Sequence, residues 1–131
     1  MSSCRDRISE AEKYYRAALE LRQRTLGATH QNVANTEAAL GSLLTGRGDY
    51  GEAERLLRDA VEIRRKGLPP THWQIGYTQA LLGRCLAVQH RFTDAEPLIL
   101  KGYEILREKR GDGREETRQA VATLVALYQA W

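Results

Sequence analysis

Apolar residues along this chain recur three or four positions apart. One stripe reads Ala53, Leu56, Leu57, Ala60, Val61, and the next reads Ile75, Thr78, Leu82, Leu86. That spacing places each set on one face of an amphipathic helix. No stretch alternates with the two-residue period of a strand, so no strands are expected. Gly, Pro and short polar groups interrupt the stripes and mark the helix ends. The pattern predicts six helices, at about 8–26, 31–47, 51–67, 72–90, 93–110 and 114–130. The connections are short, which favours antiparallel neighbours.

The helices come in copies. Ala11-Glu12, Ala53-Glu54 and Ala95-Glu96 each lie 42 residues apart. Aligning residues 11–52 with 53–94 without gaps gives 14 identities in 42 positions, among them Arg16/Arg58, Thr29/Thr71, His30/His72, Leu40/Leu82, Gly41/Gly83 and Leu44/Leu86. The units are therefore 11–52, 53–94 and an incomplete 95–131. Residues 1–7 read as an N-terminal tail and 8–131 as one helical repeat domain. One helix pair cannot bury its own apolar face, so copies stack. Small residues (Ala11, Ala18, Gly41, Ala53, Ala60, Gly83, Ala95, Gly102) stand where helices would approach closely.

Helix ends carry their own signals. Ser9, Gly51 and Thr93 are each followed three residues later by Glu12, Glu54 and Glu96. Ser9 and Thr93 read as capping boxes and Gly51 as a weaker cap. Basic residues gather at the far ends, at Arg22 and Arg24, at Arg64–Lys66 and at Lys109-Arg110, where they complement the helix dipole. The helices that follow are expected to begin after Thr29, Thr71 and Asp112.

These residues resemble the tetratricopeptide repeat family. Leu40-Gly41 in one helix, then Ala53 and Ala60 in the next, fit its small–Leu–small pattern. The family's usual period is about 34 residues. The period here is similar to a longer variety found in kinesin light chains and in many bacterial multidomain proteins. Leu26–Ala34 and Ala95–Leu100 are close to that variety's wording. The resemblance implies an all-α fold, a right-handed α-solenoid of antiparallel helix pairs. In that register the first helix lacks its preceding partner and the last lacks its following one. The ending Leu124–Trp131 resembles the terminal repeat of bacterial proteins in which such arrays follow a Ser/Thr kinase or signalling ATPase domain. The chain thus reads as a fragment of a larger protein.

Composition narrows the function classes. The net charge is +3, from 20 basic and 17 acidic residues interspersed along the helices. Nucleic-acid binding is not expected, because the basic run Arg64–Lys66 has no interleaved aromatics and the dipole accounts for it. Two cysteines, Cys4 and Cys85, do not make a disulfide framework, which favours a reducing, cytoplasmic setting. No apolar signal region opens the chain and no apolar run could span a bilayer, so no membrane association is expected. Gly46–Gly51 matches G-x-G-x-x-G, but a helix precedes it where a dinucleotide site needs a strand. Arg47-Gly48-Asp49 is read as part of the same turn. His30 and His72 stand one repeat apart without companion carboxylates or cysteines, so they read as loop residues and no metal site is expected. No catalytic constellation is present, and the chain is expected to be no enzyme and to need no cofactor.

The expected function is a protein–protein interaction module, binding a peptide or serving as a scaffold. The alternative is a regulatory or sensor array of a kinase or ATPase whose catalytic domain lies outside this chain. The resemblance places the ligand on a concave face lined by Asn35, Ala38, Ser42 and Thr45, by Tyr77, Leu81, Arg84 and Val88, and by Gln119, Thr123 and Ala126. Ala38 and Ser42 replace the Lys and Asn of a chaperone-tail clamp, which argues against such a ligand. A short peptide with an apolar anchor and an acidic group suits the remainder. The last helix carries apolar residues on more than one face, so a homodimer through a terminal helix is also expected.

Overall fold

The computed structural model describes residues 4–131. They form six helices, α1 (Cys4–Leu26), α2 (Gln31–Arg47), α3 (Tyr50–Gly67), α4 (Trp73–Ala87), α5 (Phe92–Arg110) and α6 (Glu115–Ala130), with no strand among the described residues. The fold is all-α, as the apolar periodicity requires. Residues 1–3 of the expected tail lie outside the described residues, whereas 4–7 belong to α1. The chain divides into two compact units, the first ending at Ile63 and the second running Arg64–Trp131.

In the first unit, α2 and α3 meet through the smallest residues. A Cβ placed on Gly41 would fall 2.7 Å from Leu57 Cγ and 3.3 Å from the Ala53 carbonyl oxygen. Leu40, Leu44, Leu57 and Ala60 are fully buried around that contact. An ion-pair network ties α1 to both other helices. Arg16 donates to Glu12 at 2.9 Å and to both Glu52 carboxylate oxygens at 2.7 and 2.8 Å, and Arg47 donates to Glu12 at 2.6 Å. The Arg16 hydrogen bond holds the Glu52 carboxyl below the usual carboxylate range. The groups are partly exposed, so each pair stabilises by about 1 kcal/mol at most.

The first unit also buries an acid. Glu37 on α2 is only 3% exposed, and one of its carboxyl oxygens has no hydrogen-bond partner. Burial, then a hydrogen bond to Asp59 of α3 and that residue's charge, push its carboxyl up to about 9, against a smaller opposing effect of Arg55. Removing a charge from water costs more than the nearby arginine returns, so the proton stays.

In the second unit the same close contact recurs one repeat later. A Cβ on Gly83 would collide with Ile99 and fall 3.2 Å from the Ala95 carbonyl oxygen. Here α4 and α5 approach closely a second time, at Gly76 and Gly102. A Cβ on Gly102 would strike the Gly76 carbonyl oxygen, and one on Gly76 would fall 2.9 Å from Ile105. Leu86, Ala95, Ile99 and Leu127 bring α4, α5 and α6 into one core, and Ala80, Leu106 and Ala120 form another.

The helix starts differ from the capping boxes expected. Ser9 lies inside α1, and Gly51 and Thr93 are second residues of α3 and α5. The backbone carbonyls of Asp49 and Arg91 accept the first helical bonds, from Ala53 at 3.1 Å and Ala95 at 3.0 Å. The glutamates meant to close the boxes are engaged elsewhere: Glu12 with Arg16 and Arg47, Glu54 with Arg58, and Glu96 with the Tyr128 hydroxyl. The true side-chain caps are the two repeat-equivalent histidines. Nδ1 of His30 accepts from the Asn32 amide at 3.0 Å, and Nδ1 of His72 accepts from the Gln74 amide at 3.1 Å. Their expected structural role is thus a specific one, satisfying an orphan donor of the first helical turn.

α4 ends at Ala87, short of the expected 90. His90 adopts φ 61°, a left-handed conformation rare for a residue with a Cβ. It stands one repeat after Gly48, which ends α2 with φ 90°. The turns share their bonding: the amide after each, of Asp49 and of Arg91, donates to Leu44 and Leu86 respectively. Such a reversal satisfies the last helical carbonyls, and glycine is its usual occupant.

A candidate peptide groove between α4 and α6

The second unit holds an open, mostly apolar groove of about 440 Å³. Its α6 side carries Ala122, Ala126 and Ala130, four apart on one helix face, with Thr123 beside them. Methyl groups in place of longer side chains leave the space. Its α4 side carries Arg84, Ala87 and Val88, and the turn that follows adds His90 and Phe92. The left-handed backbone at His90 sends the chain from α4 into α5, so this turn closes one end. His90 meets Phe92 edge-on, ring centroids 5.3 Å apart. Leu127 reaches the groove from the core beneath it.

Arg84 supplies positive charge at this wall. It is half-buried, and its side chain forms no ion pair or hydrogen bond with another described residue. A guanidinium beside an apolar surface can pair with a carboxylate in a fixed planar geometry. The Thr123 hydroxyl donates to the Gln119 carbonyl at 2.8 Å, leaving its methyl and its lone pairs for a ligand.

Of the residues expected on the binding face, Arg84, Val88, Thr123 and Ala126 come together here. Tyr77 and Gln119 meet each other instead, the Tyr77 hydroxyl donating to Gln119 Oε1 at 3.3 Å. Tyr77 sits nearer the start of α4, where Trp73 lies tilted against it with ring centroids 6.5 Å apart and 4.2 Å beneath the Arg110 guanidinium. Burial, then the charge of Glu116, push the Tyr77 phenol above its ordinary range. Leu81 is half-buried on α4 and does not line the cavity. Asn35 and Ser42 belong to α2 of the first unit. Asn35 is exposed and bonded to Asn32 at 3.3 Å, while Ser42 is half-buried. Ala38 and Thr45, also expected on this face, are buried, and the Thr45 hydroxyl bonds back to Gly41, so neither is open to a ligand.

Ala87, His90, Phe92, Ala122, Leu127 and Ala130 were not foreseen as lining. The repeat contained one signal for them: His90 occupies Gly48's position, which marks a turn beside the end of α4. The alanines carried no signal, since alanine suits a core and a groove equally.

Among the described residues no three His, Cys, Asp or Glu side chains gather as a metal site, and no helix is long and apolar enough to cross a membrane. No curated protein matches the chain. Residues 3–66 match the tetratricopeptide repeat family model; repeats of that family generally mediate protein–protein interaction or scaffolding and are typically non-catalytic.

Proposed function

We propose that this chain is a peptide-binding interaction module of the long-period, kinesin-light-chain-like variety. Its ligand is a short peptide with an apolar anchor in the α4–α6 groove and an acidic group on Arg84. The observation that carries this reading is the apolar groove with an arginine at its wall that has no acidic partner among the described residues. An apolar pocket with a few polar groups is the usual form of a ligand site. Tyr77 lies two turns before Arg84 on the same side of α4 and extends the contact. The buried, reduced thiol of Cys85 suits a reducing compartment such as the cytoplasm.

A random peptide display selection on the 131-residue chain tests this reading. Selected peptides should share an apolar residue beside an acidic one. Ala126→Leu, which fills the groove, and the double change Tyr77→Ala with Arg84→Ala should each weaken them at least tenfold. Unchanged affinity in both variants would place binding elsewhere.

A further inference from the structure

A second cleft in the same unit has a different character. It has a volume of about 260 Å³ and is lined by Arg65, Pro70, Ile75, Gln79 and Lys101. That is several times the roughly 30 Å³ share of one water. Gln79 is 3% exposed, and no protein group bonds its buried Oε1. Arg65 and Lys101 are exposed and pair with no acid among the described residues. Buried amides are nearly always bonded, so an unpartnered one lining a cleft calls for an explanation.

The repeat supplies a comparison. Gln79 stands 42 residues after Glu37, Lys101 after Asp59, and Arg65 after Gln23. In the first unit the corresponding α2 and α3 positions hold two acids bonded to each other. The fold therefore does not require cations at this place. In the second unit the acid pair is replaced by an amide and an ammonium, and a guanidinium is added to the same cleft.

We propose that Arg65, Gln79 and Lys101 form a binding site for a phosphate group. Two cations match a dianion, which a phosphate monoester approaches near neutral pH with a charge of about −1.5 to −2. The N–H groups of the Gln79 amide, which no protein group engages, can donate to the ligand's oxygens. An amide donor directed at an oxyanion inside a cleft adds geometric selection to the charge. The phosphate can be a free ion or belong to a phosphorylated side chain, and the chemistry at these three residues is the same.

The test is an amide-detected NMR titration of the 131-residue chain at constant ionic strength. Inorganic phosphate, phosphoserine and acetate are added separately. The site requires saturable shifts of the Gln79 side-chain NH₂ signals with phosphate or phosphoserine, and the tighter of the two identifies the source. Lys101→Asp and Arg65→Gln, which restore the residue types of the first unit at exposed positions, should each weaken the response at least tenfold with the backbone spectrum preserved. Gln79→Leu, read through the Lys101 and Ile75 backbone signals, should do the same. Arg84→Ala should leave it unchanged, which separates this site from the peptide groove. No saturable response, equal binding of acetate, or unaltered affinity in both charge variants would overturn the assignment.

Discussion

The Glu37 carboxyl of α2 is hydrogen-bonded to Asp59 of α3 and keeps its proton up to about pH 9. Two acids on facing helices are tolerated because Glu37 is protonated. In sequence both resemble ordinary solvated charges.

This pairing makes stability depend on pH. The folded value of about 9 lies above the ordinary value of 4.5, so the folded state binds more protons between those limits. The associated stability is complete below about 4.5 and is lost as pH rises through 9. Glu37→Gln removes the ionisation while keeping a donor for Asp59. In urea unfolding the variant should gain on the parent as pH rises from 6 to 9. A gap between them that does not change with pH would show that Glu37 is ionised throughout.

Gly83→Leu should destabilise by about 1–3 kcal/mol, because an added side chain strikes Ile99 and the backbone of α5 has little room to yield. Gly46→Ala is the control. Nothing lies within 4 Å of a Cβ there, and the residue is inside α2. It should stabilise by about 0.5–1 kcal/mol through helix propensity. Thermal unfolding of the two variants should therefore move in opposite directions.

The left-handed backbone at His90 sets an order among substitutions. A β-branched residue is poorly tolerated at such φ values, whereas glycine is not strained. His90→Val should cost more than about 1 kcal/mol. His90→Gly should be at least as stable as the parent, despite losing the contact with Phe92. Chemical denaturation of both variants checks the order, and a stable valine variant would place this turn in another conformation.

The outer face of α6 leaves Val121 40%, Val125 50%, Tyr128 50% and Trp131 56% exposed. Trp131 stacks between Phe92 and Tyr128, with ring centroids 5.8 and 6.4 Å away, but this covers only part of it. Contiguous apolar surface of this kind favours association. Light scattering across a concentration series should show the 131-residue chain passing from monomer to dimer. Val125→Glu should shift that transition to higher concentration. Equal monomer mass for both at high micromolar concentration would contradict a dimer through this face.

The sequence by itself determined the helices, their number and their repeat. A stripe of apolar residues every three or four positions has one cheap way to leave water, and a 42-residue period repeats it. It also located the close contacts at Gly41 and Gly83, because a missing side chain recurring beside buried leucines leaves space only a neighbouring helix fills. Tertiary structure decided which polar partners were taken. Glu12, Glu54 and Glu96 had the spacing of caps, yet Arg16 and Arg58 one helical turn away, and Arg47 and Tyr128 brought near by folding, engage them instead. Tertiary structure also decided where space remains. Ala122, Ala126 and Ala130 could equally have met a helix, and only the path of the chain through His90 leaves a groove beside them. Burial of Glu37 and Gln79 belongs to the same class, since the cost of desolvating a side chain depends on what packs over it, and that is set by residues distant in sequence.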